Sequence, residues 1–276
     1  MLAGAYRFKI IDALTYQPVT KMTGDYTVSP REMGQWTSDD KGAVYLDRLK
    51  VGLTNVQVKD NHNYFNILIN GAKVTKKLST GKVDQGRTVL AVPRKIKDQI
   101  IFTMSWIGEE YNLNLFAETF IDTEEGRKEG NSCQLGFTNP KCMSMEHLDS
   151  RDHEALGETI RIESSLFFDS ETNALIKDKK VLVYMVETSQ NKRDISNTNA
   201  VLELTIPEQG RVSSVPVPFK APQKEDINMK LVYNWWAALC ISVEETTNQP
   251  DGNPSQLKIT RLNKLLTSKP NPADLC

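Results

Sequence analysis

The sequence predicts an all-β protein made of two β-sandwich domains, residues 1–95 and residues 96–276. Three observations carry this. Apolar residues recur in short runs with a period of two, not in long runs with a period near 3.6. These runs are spaced by roughly 8 to 12 residues and fenced by Gly, Asp, Asn or Pro, the pattern of sandwich strands and their turns. A charged, Pro-initiated stretch at residues 93–98 then separates a first piece of about 95 residues, the size of one sandwich domain.

Taken in order, Tyr6-Arg-Phe-Lys-Ile10 alternates apolar and polar side chains and reads as a strand. Ala43-Val-Tyr-Leu46 and Val56-Gln-Val-Lys59 follow, and residues 88–92 form the last strand before the linker. The second domain opens with Ile101-Phe-Thr-Met-Ser-Trp106 and continues with Leu113-Asn-Leu-Phe116, Thr159-Ile-Arg-Ile162, residues 181–186, Val201-Leu-Glu-Leu-Thr-Ile206 and residues 237–243. Residues 255–266 read either as a short C-terminal helix capped by Ser255 or as a last strand.

Composition narrows the classes of function. The 276 residues carry 34 Lys+Arg against 35 Asp+Glu, a net charge of −1, which gives no support to a generic nucleic-acid binder. With 39% hydrophobic and 25% charged residues the chain is that of a soluble globular protein. Its longest apolar runs, such as Ile100-Ile101-Phe102, fall far short of the roughly 18 residues that a spanning helix needs, so no transmembrane segment is expected. The start, Met1-Leu-Ala-Gly-Ala-Tyr-Arg, lacks the basic and apolar regions of a secretory signal. It implies a cytoplasmic protein if Met1 is the true start, and otherwise a fragment or mature form.

Charge is divided unevenly along the chain. Residues 1–95 hold 15 Lys+Arg and 8 Asp+Glu, a net of +7, and the remainder holds 19 and 27, a net of −8. Complementary domains of this kind either dock onto one another or assemble head to tail, the basic face of one molecule against the acidic face of the next.

The four cysteines are too few for a disulfide scaffold. Cys133 and Cys142 bracket a segment whose Gly136 and Asn139-Pro140 favour a turn, so they are either a disulfide across a hairpin or two buried thiols. Glycosylation sequons are absent apart from the weak acceptor Asn131-Ser132-Cys133.

Asp12-Ala-Leu-Thr-Tyr-Gln-Pro-Val19, the turn Thr37-Ser-Asp-Asp-Lys-Gly42 and Leu49-Lys-Val-Gly-Leu53 occur in the order of the "D-x-x-T-x-x-P-V", "T-D-x-x-G" and "L-x-x-G" signatures. In this the first domain resembles the transthyretin-like sandwich of carboxypeptidase regulatory domains, with Leu53 where an aromatic is common. The resemblance implies a folding or interaction module without an active site. The second domain, with Trp106, Tyr111-Asn-Leu-Asn-Leu-Phe116, the acidic segment 149–158 and Trp235-Trp236, resembles an uncharacterised bacterial and eukaryotic β-sandwich family. That family has Trp followed by Asp-Leu-Asp-Leu, an Asp-rich turn with Gly-Pro-Glu, and a late Trp strand. The resemblance implies an extracellular or cell-surface setting in binding or adhesion.

Asp-Leu-Asp on a strand points two carboxylates to one face, and with a facing acidic turn these would hold Ca²⁺ through oxygen ligands. Here Asn112 and Asn114 stand in their place, with Asp149, Asp152 and Glu158 as the other half of the candidate site. The alternative role of the two Asn is to fix the acidic loop by hydrogen bonds. Trp235 and Trp236 face opposite sides of a strand, so one enters the core and the other is a candidate for an interface or a sugar ring, or packs beneath a loop. Only three histidines are present, His62, His147 and His153, without a zinc-protease, nucleophile-elbow or phosphate-loop motif, and no cofactor is expected.

The expectation is a non-enzymatic structural or adhesive protein assembling through complementary charged surfaces and sheet edges. The alternatives are a carbohydrate- or Ca-dependent binding protein, with polysaccharide as partner, and an accessory domain of a larger extracellular enzyme.

Overall fold

The computed structural model describes residues 3–29, 32–50, 52–57, 63–65, 68–76, 87–107, 110–121, 132–149, 157–168, 171–172, 176, 178–189, 193–207, 211–218, 231–245 and 255–276. Its fold is all-β, with eighteen strands in three sheets among the described residues.

The first sheet has seven strands: β1 (Ala3–Asp12), β2 (Thr23–Ser29), β3 (Glu32–Thr37), β4 (Ala43–Lys50), β5 (Gly52–Gln57), β6 (Leu68–Lys76) and β7 (Thr88–Ala91). They run in the order β3-β2-β5-β6-β1-β4, with β7 pairing in parallel along residues 9–12 of β1. Alternation along β1 sends Tyr6, Phe8 and Ile10 into one core with Trp36, Val44, Leu46, Val89 and Ala91. Phe8 and Trp36 stand four places apart in the strand order, yet their rings meet edge to face at 5.2 Å. The sheet therefore curls over and closes on its own core as a sandwich does.

The turns follow from the sequence. Asp12 Oδ1 accepts the amides of Leu14 and Thr15, each at 2.9 Å, and caps the turn that leaves β1. Asp39 Oδ1 accepts the amides of Lys41 and Ala43, each at 2.8 Å, ahead of β4. Gly42 between them adopts φ +72° against the Ile10 carbonyl, where a side chain would collide.

Residues beyond 98 build two facing sheets. The five-stranded one contains β9 (Leu113–Ile121), β10 (Cys133–Leu135), β14 (Lys179–Glu187), β17 (Trp235–Glu245) and β18 (Ser255–Leu266), in the order β10-β9-β14-β17-β18. The six-stranded one contains β8 (Gln99–Ser105), β11 (Lys141–Cys142), β12 (Met145–Asp149), β13 (Gly157–Glu163), β15 (Val201–Ile206) and β16 (Arg211–Pro216), in the order β11-β12-β13-β8-β15-β16. Phe102, Met104, Ile160, Ile162, Leu202 and Leu204 from one layer meet Leu113, Leu115, Val181, Val183, Met185 and Trp236 from the other in the largest core. Against β14 a bulge in β17 between Ala237 and Leu239 shifts its register, so Trp236 and Ala238 and then Leu239 and Ile241 all reach that core.

Residues 255–266 form the strand of the two alternatives, not the helix. They pair along the length of β17 from Glu245↔Ser255 to Trp235↔Leu266. Leu257 and Ile259 are half-buried while Lys258 and Thr260 are exposed, the period of two that suits a sheet edge. The one α-helix among the described residues, α1 (Pro272–Leu275), lies further on.

A third core joins the first sheet to the outer face of the six-stranded one. Ile11, Tyr16, Phe65, Leu90 and Val92 pack with Ile101 of β8, and Leu148 of β12 lies against them. All four residues of β7 are buried because its two faces serve two cores: Val89 and Ala91 the first, Leu90 the third. Approach is close at Gly157, where a Cβ would sit 2.7 Å from the Met104 carbonyl and 2.9 Å from Leu90 Cδ1.

Candidate functional site

The residues anticipated as a cation site fall on both sides of β9. Leu113, Leu115 and Ala117 enter the core between the layers, while Phe116 lies in a cluster on the outer face of the five-stranded sheet. The period of two puts Asn114 on the outer side with Phe116. Asn114 is 2% exposed, and its Nδ2 donates to Thr188 Oγ1 at 2.7 Å. Its Oδ1 has no hydrogen-bond partner among the described residues. Asn112 acts through its backbone, with its amide on Glu187 Oε1 at 3.3 Å and its carbonyl accepting from the Thr188 amide at 2.8 Å.

Glu158 faces the other way, between the layers. Its Oε2 accepts the Leu115 amide at 2.6 Å and lies 3.0 Å from His147 Nε2. Asn114 and Glu158 are thus not brought together. Asp149 pairs with Glu158 in the β12–β13 ladder, and Asp152 lies outside the described residues. No group of three or more His, Cys, Asp or Glu able to hold a metal occurs among the described residues.

Two buried carboxylates instead work as braces. Glu158 and His147 tie β12 and β13 of one layer to the β9 backbone of the other. Glu187, 1% exposed, accepts the amides of Asn112 and Ser189 on Oε1, and that of Arg193 on Oε2 at 3.0 Å. Arg193 in turn lies over the Tyr111 ring at 5.5 Å. Sequence reasoning missed Glu187, whose signal was a lone acid closing the apolar run 181–186.

The two tryptophans divide as opposite faces require. Trp236 is fully buried in the large core and donates to Asn263 Oδ1 at 3.0 Å. Trp235 is half-buried on the outer face, 5.9 Å from the Tyr184 ring, against the cluster where Leu275 and Cys276 also pack. Burial beside the Glu118 carboxylate, 3.2 Å from its hydroxyl, raises the Tyr184 pKa well above the usual phenol range.

Cys133 is disulfide-bonded to Cys142 across the Gly136–Asn139 turn. The second pair, Cys240 with Cys276, was not anticipated, because 36 residues separate the two in sequence.

Where the first sheet meets the second layer, Tyr16 Oη donates to the Leu148 carbonyl at 2.6 Å and Arg87 Nη2 to the Asn199 carbonyl at 2.5 Å. Desolvation pushes the Glu203 carboxyl up to about 7, opposed by the charge of Arg87. The same desolvation lowers the Arg87 pKa. A shallow polar pocket of about 180 Å³ lies elsewhere, lined by Lys141, Ser144, Glu146, Arg161 and Glu163 with Met143 and Met145. Within it Glu146 pairs with Lys141 at 3.1 Å and with Arg161.

No protein-family model matches the chain, and no curated relative does. Several solved structures are similar. A putative carbohydrate-binding protein from Bacteroides uniformis is 11% identical over 77% of this chain and 98% of its own, with a TM-score of 0.25. BcpA, the major pilin subunit of Bacillus cereus, is 10% identical over 77% of this chain and 66% of its own, at 0.29. The full-length major pilin SpaD from Corynebacterium diphtheriae is 10% identical over 77% of this chain and 65% of its own, at 0.24. At such values the likeness extends no further than all-β construction.

Proposed function

We propose that this chain is a non-enzymatic structural or adhesive protein that acts outside the cell. In this reading a transthyretin-like domain, residues 1–95, is joined to a larger sandwich, and copies assemble through complementary charge and sheet edges. The observation that carries it is the division of a near-neutral chain into pieces of +7 and −8. Such a dipolar body attracts its own copies over a distance set by salt, about 10 Å at 0.1 M. Three further observations support it. The buried acids Glu158 and Glu187 are engaged by backbone amides and hold strands in place. The twelve-residue β18 pairs only with β17 among the described residues, which leaves one long edge for another strand. Two disulfides suit an oxidising compartment. Molecular mass measured by sedimentation against ionic strength tests the reading: species larger than the 31.1 kDa chain form at low salt and dissociate as salt rises.

A second reading, polysaccharide binding, is favoured by the pocket at Glu146 and Arg161, whose paired charges offer donors and acceptors to sugar hydroxyls. Calorimetric titration with neutral and acidic oligosaccharides, against the Arg161→Ala protein, tests it. Heat of binding that the substitution abolishes supports this reading.

A further inference from the structure

The outer face of the five-stranded sheet is apolar and carries a lid made by the chain itself. Phe116, Phe120, Leu182, Tyr184 and Val186 form a cluster on this face, with Phe116 and Tyr184 stacked at 5.3 Å. Such a face needs cover in water. Residues 267–276 leave β18 and return across it. Lys269 reaches Glu118 of β9 at 3.2 Å and Gln134 of β10 at 3.0 Å. Leu275 and Cys276 pack on the cluster, Lys180 of β14 donates to the Cys276 carbonyl at 2.9 Å, and Cys276 is bonded to Cys240 of β17.

Three properties make this strap exchangeable. It is joined to β18 by a short tether with exposed residues 267–269 and two prolines, Pro270 and Pro272. Short, stiff hinges of this kind favour swapping of an identical element between copies. One covalent bond latches it to its seat, and every other contact is one that the strap of a second copy would make in the same way. The latch is also open to attack, because Cys276 is half-buried while Cys240 is 4% exposed.

The geometry points to exchange of this strap between two copies of the chain: residues 267–276 of one copy cover the aromatic face of the other, and Cys276 of the first bonds to Cys240 of the second. A low-molecular-weight thiol starts the exchange. Its thiolate attacks Cys276 Sγ and forms a mixed disulfide, and the electron pair of the broken bond leaves on Cys240 as a thiolate. The Cys240 thiolate of the other copy attacks that Cys276 sulfur and expels the small thiolate. Carried out in both directions, two disulfides within chains become two between chains, with no net oxidation and with the thiol returned. The bare apolar face drives the second half, because a lifted strap leaves it in water until a strap covers it again. This link is thiol-dependent and independent of salt, so it stands or falls apart from the charge-driven assembly.

The test uses the full chain. Protein labelled with ¹⁵N and unlabelled protein are mixed at equal concentration and incubated with reduced glutathione. They are then alkylated, digested, and read by mass spectrometry as disulfide-linked peptides. A short tether gives its own strap an effective concentration in the millimolar range, so exchange is sought at about 1 mM protein. The expected result is that about a quarter of the Cys240–Cys276 peptides are mixed in label, where equal occupancy of the two arrangements at that concentration is taken from the same estimate. A covalent dimer appears on a non-reducing gel, Cys133–Cys142 peptides stay unmixed, and dilution with thiol restores the monomer. Three results would overturn the proposal. Mixed Cys240–Cys276 peptides are absent although Cys276 becomes alkylated; Cys276 is never alkylated; or both disulfides mix equally, as whole-chain unfolding would produce.

Discussion

His147 Nε2 lies 3.0 Å from Glu158 Oε2, with both side chains almost wholly buried and the Leu115 amide of the opposite layer on the same carboxylate oxygen. Removing one partner of a buried pair leaves the other without compensation. Glu158→Ala is therefore expected to cost about 3–5 kcal/mol in urea unfolding. Glu158→Gln, which keeps an oxygen for the Leu115 amide, is expected to cost less. Equal losses from the two substitutions would mean that the carboxylate does not act as a brace.

The two tryptophans make a sharper pair, because their neighbours differ. Trp236→Ala empties a site in the largest core and strands Asn263, so a loss of about 3–5 kcal/mol is expected by denaturant unfolding. Trp235→Ala removes a half-buried ring from the outer face and is expected to cost less. A larger loss at Trp235 would contradict the assignment of faces.

Gly157→Ala probes the contact between the first sheet and the second layer. A methyl there meets the Met104 carbonyl at 2.7 Å and Leu90 Cδ1 at 2.9 Å. Overpacking of this kind costs about 1–3 kcal/mol, measured as a fall in the unfolding midpoint. An unchanged midpoint would mean that β7 and β13 part without cost.

Glu203 gives that junction a dependence on pH. Its folded pKa, about 7, lies above the ordinary value of 4.5, so the folded state binds the extra proton. This contribution is fully present below pH 4.5 and is lost as pH rises from there through about 7. Between pH 5 and pH 8 the wild type should lose stability relative to Glu203→Gln. Parallel stability curves for the two proteins would remove Glu203 as the cause.

Much of the fold is legible in the sequence because alternation on a half-buried sheet is written residue by residue. Phe8, Ile10, Ile160 and Ile162 all announce the face they occupy. β18 is ambiguous in the sequence because Ile259, Leu262 and Leu265 also stand at the i, i+3 spacing of a helix, whereas in the sheet Leu262 packs on the outer cluster and Leu257, Ile259 and Leu265 pack on the inner core. The candidate site was less legible. A period of two puts Asn112 and Asn114 on one side of an extended strand but does not tell which face of β9 meets β13, so Glu158 joins the candidate site in the sequence although it lies on the other side of the strand from Asn114. Cys240–Cys276 and Arg87–Asn199 join residues 36 and 112 positions apart. No local pattern encodes contacts of that range.

In the proposed assembly, opposite charges on the two halves of one chain drive self-association. Sedimentation velocity of the full chain at high protein concentration, from about 0.02 to 0.5 M salt, tests it most directly, because screening shortens the reach of surface charge across that range. Assemblies above 31.1 kDa are expected at the lowest salt, dissociating towards that mass as salt is raised. A chain that remains a 31.1 kDa monomer at the lowest salt would contradict it.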